Sequence, residues 1–153
     1  MPTYLEELTL RLARGMEHVP EDSRRIHASY LRRSQNPDGG FSGREGGSDL
    51  YYTGFALRGL AVLGELHGDL AVNAAKFLQG RLASQAPIID FLSLLYGAML
   101  LNVSAGIDVF AHAPASWRDA VAAAIERFRR PDGGYAKTDE GQSSSTNYTF
   151  LVL

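Results

Sequence analysis

The sequence predicts an all-α fold with its helices in two layers. Apolar residues recur at helical spacing through most of the chain. Two long segments, 50–66 and 88–103, are apolar on nearly every side. These two alternate with amphipathic segments along the chain. A helix apolar all round must be enclosed all round, whereas a one-sided helix lies half in water. The alternation therefore reads as outer helices half in solvent and inner helices enclosed. Both apolar segments are too long for single strands.

The elements follow in order. Leu5, Leu8 and Leu12 stand at i, i+3 and i+7, with Met16 on the next turn. Ile26, Tyr30 and Leu31 form a second apolar face among Arg24, Arg25, Arg32 and Arg33. The first apolar run, Leu50 to Leu66, is broken by Thr53, Arg58, Glu65 and several glycines. Asp49 precedes it, suited to an N-cap or to the positive end of the helix dipole. Leu70, Ala74, Phe77, Leu78 and Leu82 make a fourth helix. The second apolar run, Ile88 to Val103, has Asp90, Ser93 and Asn102 as its main polar positions, and Asp90 reads like Asp49. Trp117, Val121, Ile125 and Phe128 form a sixth helix after Pro114, with Ser116 as the expected N-cap. A seventh begins near Thr146.

The chain has 153 residues, 45% hydrophobic and 21% charged, which suits one core and one domain over 1–153. A net charge of −2 argues against nucleic-acid binding, since phosphates are met by clustered Lys and Arg. With no cysteine, disulfides, thiol nucleophiles and Cys-ligated zinc are excluded. The stretch Ile88 to Leu101 carries Asp90 and falls short of the roughly 20 residues of a bilayer span. Met1-Pro2-Thr3-Tyr4 leads directly into an amphipathic pattern, not a signal peptide. The expectation is a cytoplasmic protein with no membrane span.

The loops carry a repeat. Asn36-Pro37-Asp38-Gly39-Gly40-Phe41 matches Arg130-Pro131-Asp132-Gly133-Gly134-Tyr135, 94 residues on. Each copy leads to a Tyr-Thr pair, Tyr52-Thr53 and Tyr148-Thr149. A worn copy lies between: Phe77-Leu78-Gln79 matches Tyr30-Leu31-Arg32, and Asp90 to Leu100 tracks Asp49 to Leu60, without the Gly-Gly turn. The repeats are roughly 21–66, 69–103 and 116–153, a period of roughly 40–50 residues that fits helix-pair units. In such a turn proline stops the outer helix and Asp holds backbone N–H groups. The glycine pair supplies positive φ and close approach, and the aromatic plugs the gap to the next unit. Asp38, Gly39, Gly40, Phe41 and Asp132, Gly133, Gly134, Tyr135 are thus structural, because one active site would use only one copy.

These residues resemble a known repeat. Gln35 to Phe41, then Gly43, Asp49, Tyr52-Thr53, Ala56-Leu57 and Leu60 to Gly64, look like the repeat of protein prenyltransferase β subunits. They are also similar to the repeat of squalene and other class II terpene cyclases. Tyr148-Thr149-Phe150 resembles the Tyr-Thr-Phe that opens an inner helix in the prenyltransferases. The resemblance runs from about Ile26 onward. It implies an α/α toroid of about a dozen helices around an apolar cavity, so seven helices make a partial toroid. The chain stops at Phe150-Leu151-Val152-Leu153, inside what reads as an inner helix. The expectation is an incomplete toroid: a truncated gene product, a fragment, or a half-ring whose open edges associate with another copy or with a helical partner subunit.

The resemblance further implies an isoprenoid diphosphate ligand, an acceptor and zinc held by Asp, Cys and His from later repeats. The chain offers no cysteine, and Ser145 stands where the family places a diphosphate-binding His. His18, His27, His67 and His112 show no ligand spacing, so no metal site and no catalytic residue is assigned. The Asp-x-Asp-Asp acid of class II cyclases is absent as well. A glycosidase on a similar ring would need two facing carboxylates, and Asp49 and Asp90, read here as caps or dipole partners, are the two acids at the starts of the inner helices. Candidate cavity-lining residues are the inner-helix aromatics Tyr52, Phe55, Phe91, Tyr96 and Tyr148, with Tyr51 and Phe150 in the same set. The readings are a prenyltransferase β-subunit-like transferase, a non-catalytic scaffold or isoprenoid-binding protein, and a terpene cyclase-like enzyme. The composition predicts no tight zinc binding by this chain. Metal analysis after dialysis is expected to give well under one zinc per chain, and one equivalent at sub-micromolar affinity contradicts it.

Overall fold

The computed structural model describes residues 4–82, 87–140 and 143–152. Its α-helices are α1 (Tyr4–Gly15), α2 (Glu21–Arg33), α3 (Leu50–Val62), α4 (Gly68–Gln79), α5 (Ile88–Ala105), α6 (Trp117–Glu126) and α7 (Thr146–Val152), with a 3₁₀ turn at Met16–His18. Among the described residues the fold is all-α: the only β pairings are isolated bridges, Phe41 with Asp49 and Arg129 with Tyr135. Each segment read as helical from its periodicity holds a helix, but α3, α4 and α6 end at Val62, Gln79 and Glu126, short of Leu66, Leu82 and Phe128.

The two apolar runs pair with each other. α3 and α5 share the most extensive helix contact, with α4 against α5, α1 and α2 against α3, and α7 against α5. Leu57, Leu60, Leu78 and Leu101 are completely buried at this junction. Burying each such side chain stabilises the fold by about 1.5–3 kcal/mol relative to exposure. Close approach depends on glycine: a Cβ on Gly97 would stand 3.2 Å from both Leu57 and Leu78. α4, read as amphipathic, sinks deeper than its pattern predicts, with Ala71, Ala74 and Leu78 fully enclosed. A second, smaller cluster joins Ile88, Phe128 and Tyr135, with Leu92, Ile125, Tyr148 and Val152 packed on it.

Three local expectations are corrected. The all-apolar inner helices are not enclosed on every side: α3 exposes Tyr51, Tyr52 and Phe55, because this face fronts open space. Ser116 precedes α6 with φ −81° and ψ 7° and makes no side-chain cap, since a cap needs extended backbone there. Asp90 is not a cap either. Pro87 takes that place, and Asp90 falls inside the first turn of α5, the place where the helix dipole favours an acid. Asp49 does cap, its Oδ1 accepting the Tyr52 N–H at 2.7 Å. α5 itself runs 18 residues to Gly106, longer than its apolar stretch suggests, and by length and composition is the one described helix able to cross a membrane. Its packing against α3, α4 and α7 makes it the central helix of this fold.

The two Asp-Gly-Gly turns share one hydrogen-bond pattern. Asp38 Oδ1 accepts from Gly40 N–H at 3.1 Å and from Ser48 Oγ at 2.7 Å. Asp132 accepts from Gly134 N–H at 3.0 Å and from Ser144 Oγ at 2.6 Å. These bonds, the serine first, hold both carboxyls below the ordinary carboxylate value. The Phe41 N–H donates to Thr53 Oγ1, and the Tyr135 N–H donates to Thr149 Oγ1, both at 2.9 Å. The threonine of each Tyr-Thr pair thus ties its turn to the start of a helix. Positive φ falls on the first glycine of each pair, 88° at Gly39 and 85° at Gly133. Gly40 and Gly134 are glycine for lack of space: a Cβ would come within 2.6 Å of Ser48 Cβ and Ser144 Cβ respectively.

Only the first turn has its leading glycine packed against another helix among the described residues. A Cβ on Gly39 would run into the Asn73 carbonyl of α4, whereas the site of one on Gly133 has no described atom within 4 Å. Gly39→Ala therefore combines left-handed backbone strain with overpacking, about 2–4 kcal/mol, and Gly133→Ala only the strain, about 1–2 kcal/mol. Urea unfolding is expected to rank them so, and equal losses contradict the packing of this turn.

Candidate functional site

A groove of about 510 Å³ opens between α1, α3, α5 and α7. Its walls are successive turns of the two central helices. Tyr51, Phe55 and Arg58 of α3 stand at i, i+4 and i+7. Leu92, Tyr96 and Met99 of α5 repeat the spacing. Tyr4 and Leu5 of α1 and Phe150 to Val152 of α7 complete the lining. Tyr51 meets Phe55 edge to face at 4.9 Å, and Tyr4 meets Phe150 in the same way at 5.5 Å. Such quadrupole-matched pairs hold aromatic rings at defined angles.

α1 is tied down by polar contacts in an otherwise apolar setting. Thr9 Oγ1 and Tyr96 Oη share a short hydrogen bond. Thr9 Oγ1 also donates to the Leu5 carbonyl at 2.8 Å, and Tyr96 Oη reaches that carbonyl at 3.3 Å. Thr9 is thus the buried residue of α1. Arg58 is the one charged side chain among the described groove residues. Its guanidinium carbon lies 5.9 Å from the centre of the Tyr96 ring, a cation–π contact. The groove therefore offers apolar and aromatic surface with a single positive charge on its wall.

The expected lining residues divide. Phe55 and Tyr96 line the groove. Phe91 lines a second void of about 650 Å³, shared with Phe110, Trp117 and the Ala120 and Ala124 face of α6. Tyr148 packs with Ile88, Phe128 and Tyr135. Tyr52 turns toward the 43–48 loop, where a Cβ on Gly43 would touch its ring. Tyr52 and Tyr148 hold equivalent places in the sequence and different surroundings in the fold. Arg58, Tyr4 and Met99 enter the site without having been singled out. The i, i+4, i+7 spacing of Tyr51, Phe55 and Arg58 was the readable signal for the arginine.

Among the described residues no Asp, Glu or His side chain lines the groove. Asp49 and Asp90 are near enough for the charge of Asp49 to act on Asp90, but neither lines the groove. Burial first, and Asp49 second, push the Asp90 carboxyl above its ordinary 3.8. His67 lies 3.8 Å from Glu65, and His112 lines the second void. Among the described residues no three His, Asp or Glu side chains gather as metal ligands. The residues present do not fit the zinc site that the resemblance implies: the donor set lacks cysteine and does not assemble from what remains. No protein-family model, curated protein or solved structure matches this chain.

The raised Asp90 pKa has a signed consequence. The folded chain holds this proton to higher pH than the unfolded chain does. Stability therefore falls as pH climbs from the ordinary value of 3.8 through the folded value, and the loss persists above it. Asp90→Asn removes the loss. Urea unfolding is expected to show the variant more stable than its parent at neutral pH and indistinguishable from it near pH ~3, where the carboxyl is protonated in both states. A variant destabilised equally at both pH values contradicts this account.

Proposed function

We propose that the chain is a helical-repeat protein of the α/α-toroid kind and binds an isoprenoid-like chain in the groove between α1, α3, α5 and α7. The observation that carries the reading is the lining: aromatic and aliphatic side chains from four helices around about 510 Å³, with Arg58 as the one charge. That volume is within the range of small-molecule sites. A polyprenyl chain gains about 0.8 kcal/mol for each methylene it buries there. Arg58 brings a rigid fork of N–H donors suited to an anionic head group such as a diphosphate. The matched hydrogen bonds of the two Asp-Gly-Gly turns support the repeat reading.

Prenyl transfer is the activity that the resemblance implies, and the chain supplies part of it. Its own residues bind and orient: Phe55, Tyr96 and Met99 would line the hydrocarbon, and Arg58 would meet the head group. The nucleophile-activating step has no donor set here, so the reading for this chain is binding rather than turnover. Isoprenoid binding is expected to be seen by quenching of a fluorescent farnesyl analogue. Phe55→Asp should weaken it at least tenfold, about 1.4 kcal/mol. Arg58→Gln should weaken the diphosphate form more than the alcohol. No saturable binding up to about 100 µM, or equal affinity for Phe55→Asp, overturns the reading.

A further inference from the structure

In the first unit the Asp-Gly-Gly turn seats on the outer helix that follows it. Gln35 Nε2 donates to the Leu70 carbonyl of α4 at 2.9 Å. A Cβ on Gly39 would run into the Asn73 carbonyl, and one on Gly40 would stand 2.8 Å from the Phe77 ring. The next outer helix, α6, does not repeat this seat. Setting Tyr30-Leu31-Arg32 on Phe77-Leu78-Gln79, and the two intact turns on each other 94 residues apart, places Ala120 on Asn73 and Ala124 on Phe77. Two large side chains are thus replaced by methyl groups, and the sequence before α6 carries no Asp-Gly-Gly.

At these alanines the described residues leave a cavity of about 650 Å³ between α4, α5, α6 and the α5–α6 connection. That volume is within the range of small-molecule sites. Four aromatic rings line it: Phe91 of α5, Phe110 of the connection, Trp117 of α6 and Phe128 just beyond α6. Phe110 and Trp117 stack face to face at 4.1 Å with their planes 3° apart. Ala120 and Ala124 add a smooth wall of methyl groups one helical turn long. Flat rings and a smooth wall suit a flat occupant, which buries both broad faces against them.

The charge in the lining has one sign. Arg127 and His112 are its ionisable side chains, and no described Asp or Glu joins them. The acids on the surrounding elements are turned to other tasks. Glu126 meets Arg129 at 3.3 Å and accepts from Tyr135 Oη at 3.1 Å. Asp108 accepts the Phe110 N–H at 2.8 Å. Asp90 and Asp119 lie outside the lining. Arg118 is already placed over Trp117, 4.6 Å from its ring centre. Among the described residues Arg127 makes no ion pair, and its guanidinium carbon lies 6.0 Å from the centre of the Phe128 ring. A guanidinium presents parallel N–H donors that match the two oxygens of a carboxylate.

The geometry points to a second ligand site, a cavity that takes a planar aromatic carboxylate, with the ring between Trp117 and the Ala120 and Ala124 wall and the carboxylate on Arg127. The site is separate from the groove and does not rest on the isoprenoid reading.

Naphthoate is the probe, and naphthylmethanol its neutral counterpart. Titration calorimetry should show one naphthoate per chain, saturating below about 1 mM, and weaker binding of naphthylmethanol. Trp117 is the single tryptophan, so its indole N–H resonance should shift with the same saturation. Ala124→Phe restores the ring that Phe77 supplies in the first unit. It should fill the cavity and weaken naphthoate at least tenfold, about 1.4 kcal/mol, with cooperative urea unfolding retained. Arg127→Gln, at an exposed position, should weaken naphthoate at least tenfold and leave naphthylmethanol unchanged, and this variant decides the matter where Ala124→Phe does not fold. No saturable binding up to about 1 mM, a Trp117 resonance that stays in place, or parental affinity in Arg127→Gln or in a folded Ala124→Phe overturns the proposal.

Discussion

The seat of the first Asp-Gly-Gly turn on α4 is the constraint on which the other arrangements depend. The backbone of Gly39 touches the Asn73 carbonyl with no room for a Cβ, so α4 lies at a distance set by main chain rather than by side chains. The same turn is tied to α3 through the Phe41 N–H and Thr53 Oγ1, and through Asp49 N–H and the Phe41 carbonyl at 3.1 Å. One loop of a few residues therefore fixes α4 relative to α3. With these two placed, α5 fits against both, with Gly97 between Leu57 and Leu78. The fully buried leucines report the density that follows.

Where that seat is missing, the packing loosens. The worn copy has no Gly-Gly turn, and α6, the outer helix after it, buries none of its residues. Its Ala120 and Ala124 face a void of about 650 Å³ in place of a turn. Trp117 is stacked at 4.1 Å on Phe110, a loop residue that packs in turn against the edge of the main core. The second turn is intact but packs on no described helix through Gly133. Its hold on α7 remains, through Tyr135 and Thr149 at one end and Ser144 and Asp132 at the other. Tyr135 Oη also donates to Glu126 at 3.1 Å, and burial followed by that carboxylate raises its pKa.

The groove has its own logic. α3 and α5 are apolar all round, yet they meet neighbours on only part of their circumference. The remainder faces α1 and α7 across the groove. Polar tethers at Thr9 and Tyr96 hold α1 across one side without filling the space. An open apolar face on central helices is costly in water unless something occupies it, and this gives the groove its interest.

The sequence by itself determined the helices, their order and the chemistry of the turns. Periodicity is a local property, and capping by Asp49 or backbone capture by Asp38 and Asp132 involves residues only a few positions apart. The absence of cysteine likewise bounded the chemistry before any fold was known. Tertiary structure decided what faces what. Tyr52 and Tyr148 are equivalent by sequence, but one fronts a loop and the other a core cluster, because the neighbours are set by distant helices. Arg58 looked like an interruption of an apolar run and became the charge on a groove wall, because α5 brings Tyr96 beneath it. Gly39 and Gly133 have the same φ and the same local bonds. Only the approach of α4, about thirty-five residues further on, makes one of them a point of contact and leaves the other bare.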